Sequence, residues 1–186
     1  MRKLMSALLY TALAVVANTA TADTAAIEAL REGNMRKLMF HQTAVDSSDA
    51  VFFAEDGSEM TLAAYEGQYV VLNFWATWCA PCRQEMPQLS ALQDLMGGDD
   101  MQVVTIATGR NPAPAIDRFF AEIEVENLPK HTDPRQSLSR SMGVLGLPVT
   151  VVLDREGNEI ARMQGEADWS SDSAIAVMEA LIARGS

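Results

Sequence analysis

The pattern of hydrophobic and polar positions predicts alternating strands and helices over most of the 186-residue chain. Tyr69–Trp75 and Met101–Thr108 are nearly continuous apolar runs rich in β-branched residues, as in strands that are buried on both faces of a sheet. A helix is predicted after each of them, over residues 81–96 and 113–124, because apolar residues recur there at helical spacing. The centre of the chain therefore predicts βαβ units with parallel strands.

Shorter elements are predicted on both sides of this centre. Residues 51–54 and 59–62 flank a turn-forming group and indicate a hairpin. A short helix over 136–142 precedes two strands, Val149–Leu153 and Glu159–Gln164, and a last helix begins near Ser171. This order predicts an α/β fold: a central mixed sheet with flanking helices and an N-terminal β-hairpin extension.

The first 50 residues have a different organisation. Arg2 and Lys3 are followed by an apolar stretch over 4–17 and by an A-x-A site at 20–22, which predicts a secretory signal peptide over residues 1–22. An uncleaved membrane anchor is the alternative. Residues 23–50 are predicted as a helix over 24–38, with Ile27, Leu30 and Leu38 on one side, and a polar linker over 42–49. The linker leads into a domain that spans residues 51–186. Both alternatives place the domain in the periplasm, either soluble or tethered to the inner membrane, where disulfides persist.

Composition excludes several kinds of function. The net charge of −11, from 14 basic and 25 acidic side chains, would repel a phosphate backbone, so we expect no nucleic-acid partner. Two cysteines are too few for a structural disulfide framework. His41 and His131 match no zinc-ligand spacing, and the 11 methionines suit core packing better than copper binding, so no metal site is expected.

The two cysteines stand in Cys79-Ala80-Pro81-Cys82, directly where the helix after the buried strand begins. Unpaired N–H groups at a helix N-terminus favour a nearby anion, and such motifs lower the pKa of the first cysteine. Cys82 lies one turn further on the same side, where it can attack a mixed disulfide on Cys79. Cys79 is therefore the predicted nucleophile and Cys82 the resolving cysteine; the alternative is a pair of buried, inert thiols.

The segment from Asn73 through Cys82 to Pro87 resembles the active site of the TlpA group of exported thioredoxin-like proteins, which includes ResA and CcmG. The stretch Gly146-Leu147-Pro148 is similar to their second active-site loop, and 165–169 is most similar to TlpA proteins within the group. The resemblance extends from about Val45 to the C-terminus. It implies a thioredoxin-like fold in which Pro148 is cis and packs against the cysteine pair.

The same resemblance suggests how a client protein is bound. Leu147 and Pro148 would offer backbone to an extended client peptide, and Pro81 would lie beside the cysteines. Trp78, adjacent to Cys79, would present an apolar surface at the rim of the site.

Glu85 is a candidate third catalytic residue, because it follows Cys82 by three positions on the same helix. Related proteins carry a glutamate here, whereas many thioredoxins use an aspartate in the preceding strand, where this chain has Asn73. We hypothesise that Glu85 accepts the proton of Cys82, with a pKa raised by partial burial. A solvated glutamate that merely suits the helix dipole is the alternative.

The direction of exchange is predicted to be reducing, because Ala80 and Pro81 offer no charge or side-chain donor that would stabilise a thiolate between the cysteines. The resemblance implies a protein-disulfide reductase without a cofactor beyond its redox-active disulfide, and we expect the chain to be a monomer. Its clients would be cysteine pairs in cytochrome oxidase copper-site assembly, such as a copper chaperone or an oxidase subunit, or apocytochrome c in cytochrome c maturation. Electrons would come from a membrane thiol donor. An oxidase or isomerase on the same fold and a Cu(I) chaperone are the alternatives.

Overall fold

The computed structural model of the protein describes residues 24–184. The predicted signal peptide or anchor over residues 1–22 lies outside this range. Within it, the helices are too short or too polar to cross a membrane.

The core of the fold is one eight-stranded mixed sheet with the strand order β1-β8-β7-β4-β5-β6-β2-β3. Strands β4, β5 and β6 are parallel, and every other neighbouring pair is antiparallel. The strands are β1 Met39–Val45, β2 Phe52–Phe53, β3 Glu59–Met60, β4 Tyr69–Trp75, β5 Met101–Thr108, β6 His131–Asp133, β7 Val149–Leu153 and β8 Glu159–Gln164. The predicted mixed α/β fold is confirmed.

Four helices follow β1 in the described part of the chain and pack on the sheet, and a helix was predicted from the sequence at each of these places. They are α1 Ala80–Met96, α2 Ala113–Glu122, α3 Ser137–Ser141 and α4 Asp172–Arg184. Helix α2 ends two residues earlier than predicted, where Glu124 adopts a left-handed φ of 55°. Single 3₁₀ turns lie at Gly33–Lys37 and Leu62–Tyr65.

The polar linker predicted over residues 42–49 is wrong in its first half, because Met39–Val45 forms the edge strand β1. This strand pairs antiparallel with β8, with Phe40 opposite Ala161 and Val45 opposite Glu159. Its side chains are exposed or half-buried, so the strand carries no apolar run that sequence patterning could detect. The sheet therefore begins before residue 51.

The helix predicted over residues 24–38 is also wrong in its extent. Residues 24–28 are helical, and after a break the chain forms the 3₁₀ turn at Gly33–Lys37. Gly33, the first residue of that turn, has a φ of +52°, which is incompatible with one continuous helix over 24–38. Ile27 and Leu38 are buried as expected, but Leu30 is exposed and Met35 packs into the core instead.

The two faces of β4 pack into two apolar layers, as expected for a strand whose side chains alternate. Val71 and Trp75 belong to the layer covered by α1, α2 and α4. Val70, Leu72 and Phe74 belong to the layer on the other face, which α3 and the N-terminal hairpin cover. A strand held on both faces gives the loop after Trp75 a rigid base, and that loop leads to the cysteines.

Candidate active site

The two cysteines form a disulfide at the N-terminus of α1, with their Cα atoms 5.3 Å apart. Cys79 is the N-cap residue, and its Sγ accepts the backbone N–H of Cys82 at 3.3 Å. Cys79 retains 5% of its surface and Cys82 only 1%. The sulfur that lies at the positive end of the helix is thus also the more accessible one, which suits a thiolate nucleophile.

The loop that carries Cys79 is fastened to the neighbouring strand by Asn111. The backbone N–H and the hydroxyl of Thr77 both donate to Asn111 Oδ1, at 2.8 and 3.0 Å. Asn111 Nδ2 donates in turn to the carbonyl of Thr108 at the end of β5. Sequence reasoning missed Asn111; its position just after a parallel neighbour of β4 was the available signal.

The Leu147–Pro148 peptide bond is cis, as the resemblance implied. Val149 pairs with Phe74, so Pro148 lies beside the end of β4, where the cysteine loop begins. Leu147 packs against the apolar layer that contains both cysteines. The Pro148 carbonyl accepts the N–H of Gly165 at 2.9 Å, which ties this loop to the end of β8.

Two apolar side chains on these loops are exposed. Trp78 has 71% of its surface accessible, and Leu145, three residues before Pro148, has 99%. Pro81 and Leu147 are half-buried. Trp78, Pro81 and Leu147 therefore lie on the segments around the cysteines, as predicted for client-binding residues. Leu145 is a further exposed apolar residue there, and the sequence analysis did not identify it.

Glu85 lies inside the protein, with 1% of its surface exposed. Its Oε1 accepts the indole N–H of Trp169 at 2.8 Å and the backbone N–H of Ala167 at 3.2 Å. Its Oε2 accepts Nδ2 of Asn73 at 3.0 Å, and the same Nδ2 donates to Thr150 Oγ1 at 2.8 Å. All three groups that donate to the carboxylate are neutral.

These surroundings raise the pKa of Glu85 to about 7. Burial is the main cause, since it disfavours the charged form. The hydrogen bonds from Trp169, Ala167 and Asn73 lower the pKa by less than burial raises it, and the nearby Glu166 carboxylate raises it further. The prediction of a raised pKa is confirmed, with burial nearly complete rather than partial. Such a carboxyl group exchanges a proton near neutral pH, as a general acid or base requires.

Within residues 24–184, no cluster of three or more His, Cys, Asp or Glu side chains is arranged to hold a metal ion.

One known protein family matches most of this chain. Residues 42–182 match the family model described as Redoxin. The chain belongs to the Redoxin family. The matched range includes the cysteine pair, Glu85, the cis-proline loop and all eight strands except the first residues of β1.

Two relatives of this Redoxin-family chain are named for thiol–disulfide exchange. It is 27% identical over 111 residues to the thiol-disulfide oxidoreductase ResA of Bacillus thuringiensis subsp. konkukian, covering 60% of this chain and 63% of that protein. It is 33% identical over 100 residues to the thiol:disulfide interchange protein HelX of Rhodobacter capsulatus, covering 54% of each. The chain thus aligns with less than two thirds of the length of either relative.

Solved structures agree with the fold. The crystal structure of a DsbF homologue from Corynebacterium diphtheriae superposes with a TM-score of 0.65 at 25% identity, covering 78% of this chain and 93% of that one. The predicted thioredoxin-like architecture is thereby confirmed for the Redoxin-family domain.

Proposed function

We propose that this chain is a thiol–disulfide oxidoreductase that reduces disulfides in client proteins. The observation that carries the proposal is the arrangement at the start of α1. A redox-active cysteine pair lies there, one turn from a buried carboxyl group whose pKa is about 7. The Redoxin-family match and the named relatives support the same reaction type.

The first step uses the reduced form of the protein. The Cys79 thiolate attacks one sulfur of a client disulfide, so that a bond forms between Cys79 and the client and the client S–S bond breaks. The other client sulfur leaves as a thiolate. The helix N-terminus stabilises the Cys79 thiolate before attack, and Cys79 is the more exposed of the two cysteines.

The second step needs Cys82, which is only 1% exposed, as a thiolate. Glu85 accepts the Cys82 proton, and the resulting thiolate attacks Cys79 Sγ. The mixed disulfide breaks, the client leaves with both of its sulfurs reduced, and the Cys79–Cys82 disulfide forms, which is the state in the structure. Two electrons have passed from the protein to the client, and a thiol donor must return them before the next cycle.

The client would bind across the exposed loops around the cysteines. Trp78 supplies an exposed apolar surface beside Cys79, and Pro81 lies next to it. Leu147 and Pro148 face the same loop from the neighbouring strand. An extended peptide bound there would place its disulfide over Cys79.

The setting of the reaction follows from the sequence resemblance. We place the domain in the periplasm, with a membrane thiol carrier as electron donor and with client cysteine pairs in cytochrome oxidase copper-site assembly or cytochrome c maturation. The segment 165–169, whose Trp169 holds Glu85, is the reason for assigning the chain to the TlpA branch of the group.

The proposal is tested by trapping the client intermediate with the full chain. A Cys82→Ser variant, once reduced, should form a stable mixed disulfide with a peptide that contains a disulfide, because the second step cannot occur. A Cys79→Ser variant should form none, since its remaining thiol is the more buried one. Mass spectrometry of the alkylated products distinguishes the two. Equal trapping by both variants, or no turnover by the unaltered chain, would refute the assignment.

A further inference from the structure

The N-terminal turn Gly33–Lys37 lies outside the matched family range, yet it contacts the loop that holds Glu85. Lys37 Nζ donates to the carbonyl oxygen of Glu166 at 2.6 Å. Asn34 Oδ1 accepts the backbone N–H of Asp168 at 3.2 Å. Two side chains of the turn, three positions apart, therefore bind the backbone of this loop on both sides of Ala167.

The peptide unit between Glu166 and Ala167 is bound at both of its ends. Its carbonyl oxygen accepts from the ammonium group of Lys37, and its N–H donates to Glu85 Oε1 at 3.2 Å. A hydrogen bond from a charged donor polarises an amide and strengthens the bond that the same amide donates. Lys37 is thereby connected to the Glu85 carboxylate through one peptide group.

The backbone of the turn is firmly held, which places Lys37 and Asn34 next to the loop. Met35 is 1% exposed and Leu38 is fully buried, and both belong to the apolar layer that α1, α2 and α4 cover. The backbone N–H of Glu32 donates to Ser173 Oγ at 2.8 Å, and Ser173 Oγ donates to the carbonyl of Leu30 at 2.9 Å. These contacts fasten the turn to the first residues of α4, directly after the loop.

We propose that Lys37 is a positioning residue for Glu85, acting through the Glu166–Ala167 peptide, with Asn34 fixing the neighbouring peptide. The N-terminal segment thus completes the active site of the domain. This inference deepens the proposed function, and it depends on that function only for its consequence for disulfide exchange.

The direction of the effect follows from the groups that face Glu85. Trp169 and Asn73 are neutral donors, and the Glu166 carboxylate disfavours ionisation. On its own helix the titratable neighbours are the two cysteines, which do not titrate while they form the disulfide. Lys37, through the polarised peptide, favours the ionised carboxylate. Its removal should therefore raise the pKa of Glu85.

The test is an NMR titration of the oxidised full chain, followed through the Trp169 indole N–H, which contacts Glu85 directly. The peak is assigned by its absence in a Trp169→Phe variant. Lys37→Met should raise the midpoint of the Glu85 titration by roughly 0.5 pH units, since charge-assisted hydrogen bonds are about twice as strong as neutral ones. Lys37→Arg should keep the original midpoint, because it retains a cationic donor.

Arg36→Met is the matched control, because Arg36 is exposed on the same turn and its replacement removes the same charge. Its midpoint should stay within about 0.2 pH units of the unaltered chain, because the contact with the Glu166 carbonyl is made by Lys37, and a solvent-exposed charge without that contact is screened. Urea unfolding of each variant checks that the turn is retained. Equal midpoints for Lys37→Met and Arg36→Met would overturn the proposal, and so would a failure of Lys37→Arg to restore the midpoint. Because the oxidised chain performs no exchange, neither result depends on whether the proposed function is correct.

Discussion

Two glutamates are buried in the part of the chain that the structure describes, and their surroundings differ. Glu85 is 1% exposed and Glu159 is 4% exposed. Glu85 accepts hydrogen bonds only from the neutral groups of Trp169, Ala167 and Asn73. Glu159, in contrast, lies against a cation: Arg162 donates to its two oxygens at 2.7 and 2.6 Å, and His41 contacts Oε1 at 2.8 Å.

The difference is one of charge in the partners. Glu159 forms an ion pair with Arg162, and its contact with His41 joins β1 to β8 at the edge of the sheet. Glu85 has donors to orient it but no cation against it, so burial dominates and raises its pKa to about 7. Burial alone therefore does not distinguish the two carboxyl groups; the charge of the groups that contact them does.

The largest expected difference between the two glutamates is in the rate of exchange. Glu85→Gln should slow client disulfide reduction by about 100-fold at pH 7, because a positioned acid or base contributes roughly 10²–10⁴-fold. Glu159→Gln should leave the rate within about threefold, as Glu159 belongs to a different set of contacts. Stopped-flow kinetics with a peptide disulfide measures both. A normal exchange rate of the Glu85→Gln variant from pH 6 to 9 would refute the proposed catalytic role of Glu85.

The next effect is a pH dependence of stability. The pKa of Glu85 is about 7 in the folded protein and has a reference value of 4.5, so the folded state binds its proton more tightly. The contribution of Glu85 to the free energy of unfolding is fully present below about pH 4.5 and is lost as the pH rises through 7. The total change is about 3 kcal/mol. Urea unfolding of the oxidised chain should show this loss between pH 4.5 and 8. In Glu85→Gln the corresponding slope should be absent, and an unchanged slope would contradict the assignment.

For Glu159 the expected effect is on stability at a fixed pH. Glu159→Gln leaves Arg162 without its counter-charge in a partly buried position, which should cost about 2 kcal/mol of unfolding free energy. Urea unfolding at pH 7 provides the value. A loss below about 0.5 kcal/mol would mean that the pair does not hold the edge of the sheet.

The smallest effect is expected for His41, the third member of that cluster. His41→Ala should lower the unfolding free energy by roughly 0.5–1 kcal/mol, because it removes one hydrogen bond from a side chain that is 29% exposed. Disulfide exchange should be unaffected. A change in exchange rate would show that the β1 edge and the active site are coupled, which would break the comparison.

The parts of the site that sequence predicted are those that are local in the chain. Cys79, Cys82 and Glu85 lie within seven consecutive positions at the start of one helix, so helical geometry alone brings them together. Strands β4, β5, β7 and β8 were predicted with the correct limits, because buried strands carry continuous or alternating apolar residues.

The parts that sequence did not predict depend on contacts between distant segments. Trp169 and Thr150, which belong to the Glu85 cluster, lie 84 and 65 positions after Glu85 in the sequence. Asn111 contacts Thr77 over a separation of 34 residues. No local pattern specifies such pairs. The edge strand β1 and the three-residue strand β6 were missed for another reason: one is largely exposed and the other is too short to alternate.

The central claim, that the cysteine pair acts as a reductant, is tested most directly by its reduction potential. The full chain would be equilibrated in defined thiol buffers, and the fraction of Cys79–Cys82 disulfide quantified by alkylation. The account predicts a value near or below about −230 mV, in the range of glutaredoxins and thioredoxin. A value near about −120 mV, typical of a strong oxidant, would contradict it and make the protein a disulfide donor.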